Sequence, residues 1–255
     1  MLRSAPNPNP CTPSGPKGWS SCAYACLFGM SPSRSEFGPG TNTIVFKRNH
    51  SYLMLGGARG RMSWCLWHRL ERRLYLDVDD VRFSKSDELA IAHRYWDDYV
   101  AETVTFGELY QSRITSTLTA CMEHVFPQWY DGRIIIIGDA AHKLDPTSGQ
   151  GANAALETAA ALADGLRQGK FASGPNLSHD LASIFADVQA KRMGKVKWLL
   201  EDSTRQQQLK SMVTRPLEEV ALRKIPKLPI ERAFEGYINA LDPDVTHERE
   251  AGSKL

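Results

Sequence analysis

The clearest apolar signal opens at Ala23, where Ala-Tyr-Ala-Cys-Leu-Phe-Gly-Met runs to Met30 and predicts a buried strand. The stretch before it, residues 1–21, sets Pro6, Pro8, Pro10, Pro13 and Pro16 among Asn, Ser and Gly. Such a composition buries too little apolar surface to order itself and predicts a tail. Ser31 to Gly40, rich in Ser, Pro and Gly, predicts a loop. Thr43–Arg48 and Tyr52–Leu55 follow as two strands around a turn at Asn49-His50-Ser51, and Gly56, Gly57 and Gly60 bracket the way into a third, Met62–Leu70. Alternation along this third run points Trp64, Leu66 and His68 one way and Ser63, Cys65 and Trp67 the other. Large side chains on both faces predict a sheet covered on both sides. The charged exit, Arg72 to Val81, fits neither strand nor helix better.

Beyond it the period changes. Ser86–Val100 carries Asp87 and Glu88 in its first turn and apolar or aromatic residues at Leu89, Ala92, Tyr95, Trp96 and Tyr99, the spacing of a helix with an acidic start. Phe106–Gln111 predicts a short helix and Ile114–Met122 a strand. After a turn at Asp131-Gly132, the run Arg133 to Ile137 predicts a fully buried strand of the kind found in parallel sheets. Gly149–Leu166 is an Ala-rich helix and Leu177–Ser203 a longer one. The last fifty residues alternate charge with Pro216, Pro226 and Pro229 and predict short helical pieces over a surface. The fold class is mixed α/β (α+β), a parallel-sheet unit against a mostly antiparallel sheet.

Composition narrows the function classes. The 255 residues are 42% hydrophobic and 24% charged with a net charge of +2, and Lys and Arg are scattered among acids, which excludes an electrostatic footprint for nucleic acid. The five cysteines, at 11, 22, 26, 65 and 121, are odd in number, form no C-x-x-C pair and are joined by no second Cys/His pair. That pattern describes reduced thiols, with no metal site and no disulfide framework. No apolar run reaches the ~18–20 residues of a membrane span, and the start lacks a signal-peptide core. A soluble intracellular protein is expected. Its last residues, Ser253-Lys254-Leu255, match an address read by the peroxisomal import receptor.

Candidate chemistry sits in Gly138-Asp-Ala-Ala-His142-Lys-Leu-Asp-Pro146-Thr-Ser-Gly149-Gln-Gly151-Ala-Asn153, between the predicted buried strand and the Ala-rich helix. Ligands of open α/β sheets bind beyond the carboxyl ends of strands. Gly138 allows close approach to the backbone. Asp139 offers a carboxylate that can accept from sugar-alcohol hydroxyls. Gly149 and Gly151 expose N–H groups at a helix start, where the dipole favours negative charge. A ligand with a polyol chain and a ring that becomes anionic on reduction fits, and flavin is such a ligand.

Gly-Asp-Ala-Ala-His…Pro…Gly-Gln-Gly-Ala-Asn resembles the second flavin-binding motif of the class A FAD-dependent aromatic hydroxylase superfamily. Phe126-Pro-Gln-Trp129-Tyr-Asp-Gly-Arg133, Tyr24-Ala-Cys-Leu-Phe-Gly29 and Thr105-Phe106 are similar to fungal members that epoxidise terpenoid or indole-diterpene intermediates. The resemblance covers roughly residues 22 to 205. It implies that Asp139 binds the ribityl chain of FAD, that Ala152 lies under the isoalloxazine, and that Gly138, Gly149 and Gly151 line the cofactor. Tyr24, by its residues alone a core position, is placed on the substrate side as a catalytic candidate. The implied activity reduces FAD with NADPH, reacts the reduced flavin with O2, and transfers one oxygen to an olefin or aromatic ring of a small hydrophobic substrate. The implied division is a tail over 1–21, mainly substrate-domain sheet and helices over 22–122, the C-terminal part of a FAD-binding domain over 123–205, and a helical extension over 206–255. Nothing ahead of Tyr24 resembles the superfamily's Gly-x-Gly-x-x-Gly unit for the ADP half of FAD, so the sequence reads as the later part of such an enzyme, with little activity expected alone. Two alternatives stay open: a non-catalytic remnant of the fold that binds no cofactor, and another flavoenzyme class such as a halogenase or dehydrogenase. His142 is read as a loop histidine bonding local backbone, and Arg192 and Lys195 as a solvated helix face.

Overall fold

The computed structural model describes residues 20–168 and 177–224. Its first half is built on a five-stranded antiparallel sheet of strands β1 (Ser21–Pro32), β2 (Asn42–Lys47), β3 (His50–Gly56), β4 (Arg61–Tyr75) and β5 (Thr115–Ala120), in the order β2-β3-β4-β1-β5. The turn between β2 and β3 is tighter than its composition predicts. Lys47 pairs with His50, Asn49 takes the left-handed conformation (φ 63), and His50 and Ser51 already belong to β3. Strand β4 runs five residues past its predicted end because its charged stretch finds a distant partner: Tyr75 pairs with Ser21 and Leu74 with Cys22.

The predicted alternation holds along β4. Trp64 and Leu66 enter a core with Ala25, Leu27, Tyr52 and Met54, closed by Ala92 of helix α1 (Lys85–Arg94) and by Phe106, Leu109 and Tyr110 of helix α2 (Phe106–Gln111). Trp67 and Cys65 face the other way, with Tyr24, Cys26 and Cys121. Trp64 lies so close over β1 that a Cβ on Gly29 would overlap its indole, so a side chain there is excluded. Capping boxes start both helices, Ser84 with Asp87 and Thr105 with Glu108. Helix α1 stops at Arg94, short of the predicted Val100. Residues 95–98 leave the helix to bond the sheet: the Tyr95 hydroxyl meets His68 Nδ1 at 2.6 Å, and Asp98 accepts from Tyr52 at 2.6 Å and contacts His50 at the same distance.

The second half carries paired two-residue strands, β6 (His124–Val125) with β9 (His142–Lys143) and β7 (Tyr130–Asp131) with β8 (Ile134–Ile135), and two packed helices, α3 (Gly151–Gln168) and α4 (Leu177–Lys210). Here one expectation is corrected. The Arg133–Ile137 run is not a buried parallel strand: among the described residues every named pairing is antiparallel, β8 pairs only with β7, and Ile134 is 65% exposed. A β-branched run supplies strand propensity, but burial of both its faces needs strands and helices on each side.

Helix α4 runs past its predicted end at Ser203 to Lys210, and a second correction falls on its charged residues. Arg192 and Lys195 are no solvated face. Arg192 is buried, its guanidinium 2.6 Å from Glu157 of α3, and Lys195 donates to the same carboxylate at 2.7 Å. Small residues on α3 bring the helices close enough for these side chains to meet; Ala154 is fully buried against Leu199. Helix α5 (Arg215–Glu219) follows, and Arg48 of the β2–β3 turn donates to its Glu218 at 2.6 Å. No helix among the described residues is long and apolar enough to cross a membrane. Of the stretch 1–21 expected as a tail, residues 1–19 lie outside the described residues, as does Ser253-Lys254-Leu255, and Ser21 already opens β1.

Candidate functional site

The motif is built as an extended residue, a loop and a helix. Ile137 is extended (φ −136, ψ 168), and the chain then turns through a 3-10 segment over Gly138–Ala140. Gly138 sits at φ +59, a conformation that favours glycine, and a Cβ there would lie 3.2 Å from the Cβ of Ala155. Its first role is therefore to let the turn lie against α3. That contact sets the next residue: Asp139 is exposed, and its Oδ1 lies 4.0 Å from where a Cβ of Gly151 would stand. The carboxylate thus rests beside the start of α3, where the first N–H groups have no acceptor within the helix and the dipole is positive. Ala152 and Asn153 are exposed at the same end, and Gly149, at φ +67, reverses the chain just before it. Asp139, Gly151 and Ala152 are brought together, with Gly138 beneath and Gly149 at the entry. A carboxylate for hydroxyls next to unpaired N–H groups for an anion fits the flavin end of FAD.

Two ionisable side chains, Asp145 and Lys210, hold this loop. Asp145 is only 4% exposed, accepts from the Thr147 N–H at 2.8 Å, and is pushed by burial up to about 7. Lys210, at the end of α4, donates to the Thr147 carbonyl at 2.8 Å and to its hydroxyl at 3.2 Å. His142 is buried in β9, its Nε2 3.0 Å from the Thr158 hydroxyl of α3, its ring tilted against Trp129 at 5.1 Å. Burial pushes its imidazole below the ordinary range, which favours the neutral ring. It fastens β9 to α3, and offers no exposed acid or base.

Tyr24 lies elsewhere. It stands on β1, buried on the sheet face away from α1 and α2, and burial pushes its phenol up. It lines a cavity of about 220 Å³ together with Asp145 of the motif loop and Gln207 of α4; Asp139 does not line it. Reading residue types along the chain missed Gln207, Lys210 and the buried Asp145. One signal was present: Ser203, Gln207 and Ser211 recur every fourth residue, a polar stripe on one helical face, and all three are buried.

Sheet, helices and motif together define the fold of the flavin-dependent hydroxylases. Klebsiella pneumoniae HpxO complexed with FAD and uric acid matches with a TM-score of 0.65 at 18% identity, over 88% of this chain and 54% of that one. Salicylate hydroxylase in its substrate complex matches with a TM-score of 0.60 at 20% identity, over 78% and 51%. Residues 85–170 match the family model described as FAD binding domain. The FAD-dependent monooxygenase spyC of Aspergillus fumigatus is 36% identical over 183 residues, 71% of this chain and 38% of that protein. The FAD-dependent monooxygenase paxM of Penicillium paxilli is 35% identical over 152 residues, 60% and 32%. Over most of its length the chain is thus similar to fungal FAD-dependent monooxygenases, and it spans under two-fifths of the length of these relatives.

Proposed function

We propose that this chain is the part of an FAD-dependent monooxygenase that holds the flavin ring and faces the substrate, acting with NADPH and O2 on a terpenoid-type intermediate by epoxidation or hydroxylation. Residues 22–122 form its substrate side and 123–205 its share of the flavin domain. The observation that carries this reading is the Asp139 carboxylate beside the open start of α3. Asp139 accepts hydrogen bonds from the ribityl hydroxyls. The backbone at Gly149, Gly151 and Ala152 meets the anionic side of the ring, and Gly138 keeps the turn seated on α3. FAD, when bound, supplies the activation of O2. The protein's part is to orient the ring and to exclude water with the apolar sheet face around Tyr24, which stands on the substrate side.

The test is a flavin-fluorescence titration of the protein with FAD. Asp139→Ala should weaken binding about ten-fold, since hydrogen bonds to charged groups contribute roughly 1.5–3 kcal/mol. Gly151→Leu should weaken it by blocking the helix start. Titration curves unchanged in both variants would show that the motif does not hold the flavin. For localisation we propose that Ser253-Lys254-Leu255 addresses the chain to peroxisomes through their import receptor. A fluorescent protein fused ahead of residue 1 should give punctate signal that disperses when the last three residues are deleted; diffuse signal from the intact fusion would rule the address out.

A further inference from the structure

Among the described residues the Asp139 carboxylate accepts no hydrogen bond, so its direction is set by the backbone turn from which it projects. One side chain reaches that turn. His124 of β6 places its Nε2 3.1 Å from the Asp139 carbonyl. Its Nδ1 lies 3.2 Å from the Ser20 hydroxyl at the entry to β1, and its ring stacks on Phe126 at 4.3 Å with the planes 27° apart. A carbonyl has no proton to give, so Nε2 carries the hydrogen, and Nδ1, left with a lone pair, takes the Ser20 O–H. The neutral ring meets both demands. Burial pushes this imidazole below its ordinary range and favours that form. Bonds at both nitrogens and a stack across one face leave the ring a single orientation.

We propose that His124 is a positioning residue of the flavin site, which by holding the Asp139 carbonyl fixes how the Asp139 carboxylate is presented to the ribityl hydroxyls. The inference rests on the monooxygenase reading above and adds to it a residue outside the motif, 15 positions before Asp139. The turn is weakly fixed from within. Gly138 stands in the left-handed region, and the single 3-10 turn that follows is closed by the Ala141 N–H on the Gly138 carbonyl. Strand β6 supplies the outer restraint. The Phe126 N–H donates to the Ala141 carbonyl at 2.9 Å and Val125 pairs with His142, which brings His124 alongside Asp139. The strand is anchored at its start, where Glu123 accepts from Arg73 of β4 at 3.1 Å and from Thr204 of α4 at 3.3 Å. The imidazole thus transmits the position of the sheet and of α4 to the cofactor carboxylate. It acts only through Asp139.

The test uses the full 255-residue chain with two substitutions. His124→Phe keeps a ring against Phe126 and loses both hydrogen bonds; His124→Gln carries an amide N–H that can reach the same carbonyl. NMR relaxation of the Asp139 and Ala140 amides needs no flavin. The turn should be as ordered in His124→Gln as in the parent, and should move on the nanosecond scale in His124→Phe. In flavin-fluorescence titration His124→Phe should bind FAD about five-fold more weakly, as for the loss of one hydrogen bond, and His124→Gln should stay within about two-fold of the parent. In an Asp139→Ala background His124→Phe should cost less than about two-fold, because a residue acting through the carboxylate has nothing left to position. Ser20→Ala, a smaller change that frees Nδ1, should loosen the turn in the same sense, and decides the matter if His124→Phe does not fold. A turn equally ordered in parent and variants, or an equal loss of FAD affinity with and without Asp139, overturns the proposal. A turn that loosens as expected in a protein whose FAD binding is absent or indifferent to Asp139→Ala counts against the flavin reading alone.

Discussion

Burial holds the Asp145 carboxyl at about 7 against an ordinary 3.8, although the Thr147 N–H and the nearby Lys210 ammonium both favour its charged form and only Glu123 adds to the rise. The sign of the consequence follows from linkage. Between the two values the folded protein holds a proton that the unfolded chain has released, so stability is greatest below about pH 4 and falls as pH rises towards 7. At ~1.4 kcal/mol per unit the loss is on the order of 4 kcal/mol. Asn at this position keeps an oxygen for Thr147 but has no proton to lose. Asp145→Asn should therefore match the parent near pH 4.5 and exceed it by a few kcal/mol at pH 8 in urea unfolding; parallel stability–pH curves would show that Asp145 is charged in the fold. At this scale the candidate site was largely legible. Asp139, Gly151 and Ala152 are neighbours in the motif, and a short loop leaves them little freedom to separate. The burial of Asp145 was not legible, because it depends on Lys210 and Gln207 arriving from residues more than sixty positions away.

Among the elements, the joint between α3 and α4 carries the clearest consequence. Glu157 faces both Arg192 and Lys195, and Arg192 is almost wholly buried. Removing the acid leaves a buried guanidinium without its counter-charge, and breaking such a pair on one side costs about 3–5 kcal/mol. Glu157→Ala should lower stability by about 3 kcal/mol, and Glu157→Leu combined with Arg192→Met should recover most of that, because an apolar pair needs no compensation. Unfolding midpoints in urea measure both; a Glu157→Ala protein as stable as the parent would show the pair to be idle. Element type was legible wherever the period was long or the start was chemically marked. Both capping boxes, at Ser84 and Thr105, stand where helices begin, and α2 has its predicted ends. Element ends were legible only where local chemistry decides them. Residues 95–98 carry helical spacing and still leave α1, since His68 and Tyr52 on the sheet offer them better partners.

Across the molecule, β1 is hydrogen-bonded on both sides, to β4 and β5, beneath a continuous aromatic core, whereas β8 has one short partner and an exposed Ile134. Amide exchange should be slowest over Ala25–Phe28 and Leu66–Trp67 and fast over Ile134–Ile135, since protection follows buried, doubly paired backbone. Exchange in the Ile134–Ile135 peptide as slow as in β1 would contradict that order. The sequence by itself determined the antiparallel strands, the alternation that places Trp64 and Trp67 on opposite faces, the helix starts and the flavin-type motif. These depend on side chains within one or two turns of each other, whose spacing is written directly in the chain. Only the tertiary structure decided that Arg192 is buried, that Ile134–Ile135 forms a two-residue antiparallel pair, and that Tyr24, Asp145 and Gln207 share one cavity. Each of these turns on which distant segment comes to lie alongside. Local preference cannot fix that choice, because the same residue is stable in water or in a core according to the partner it meets there.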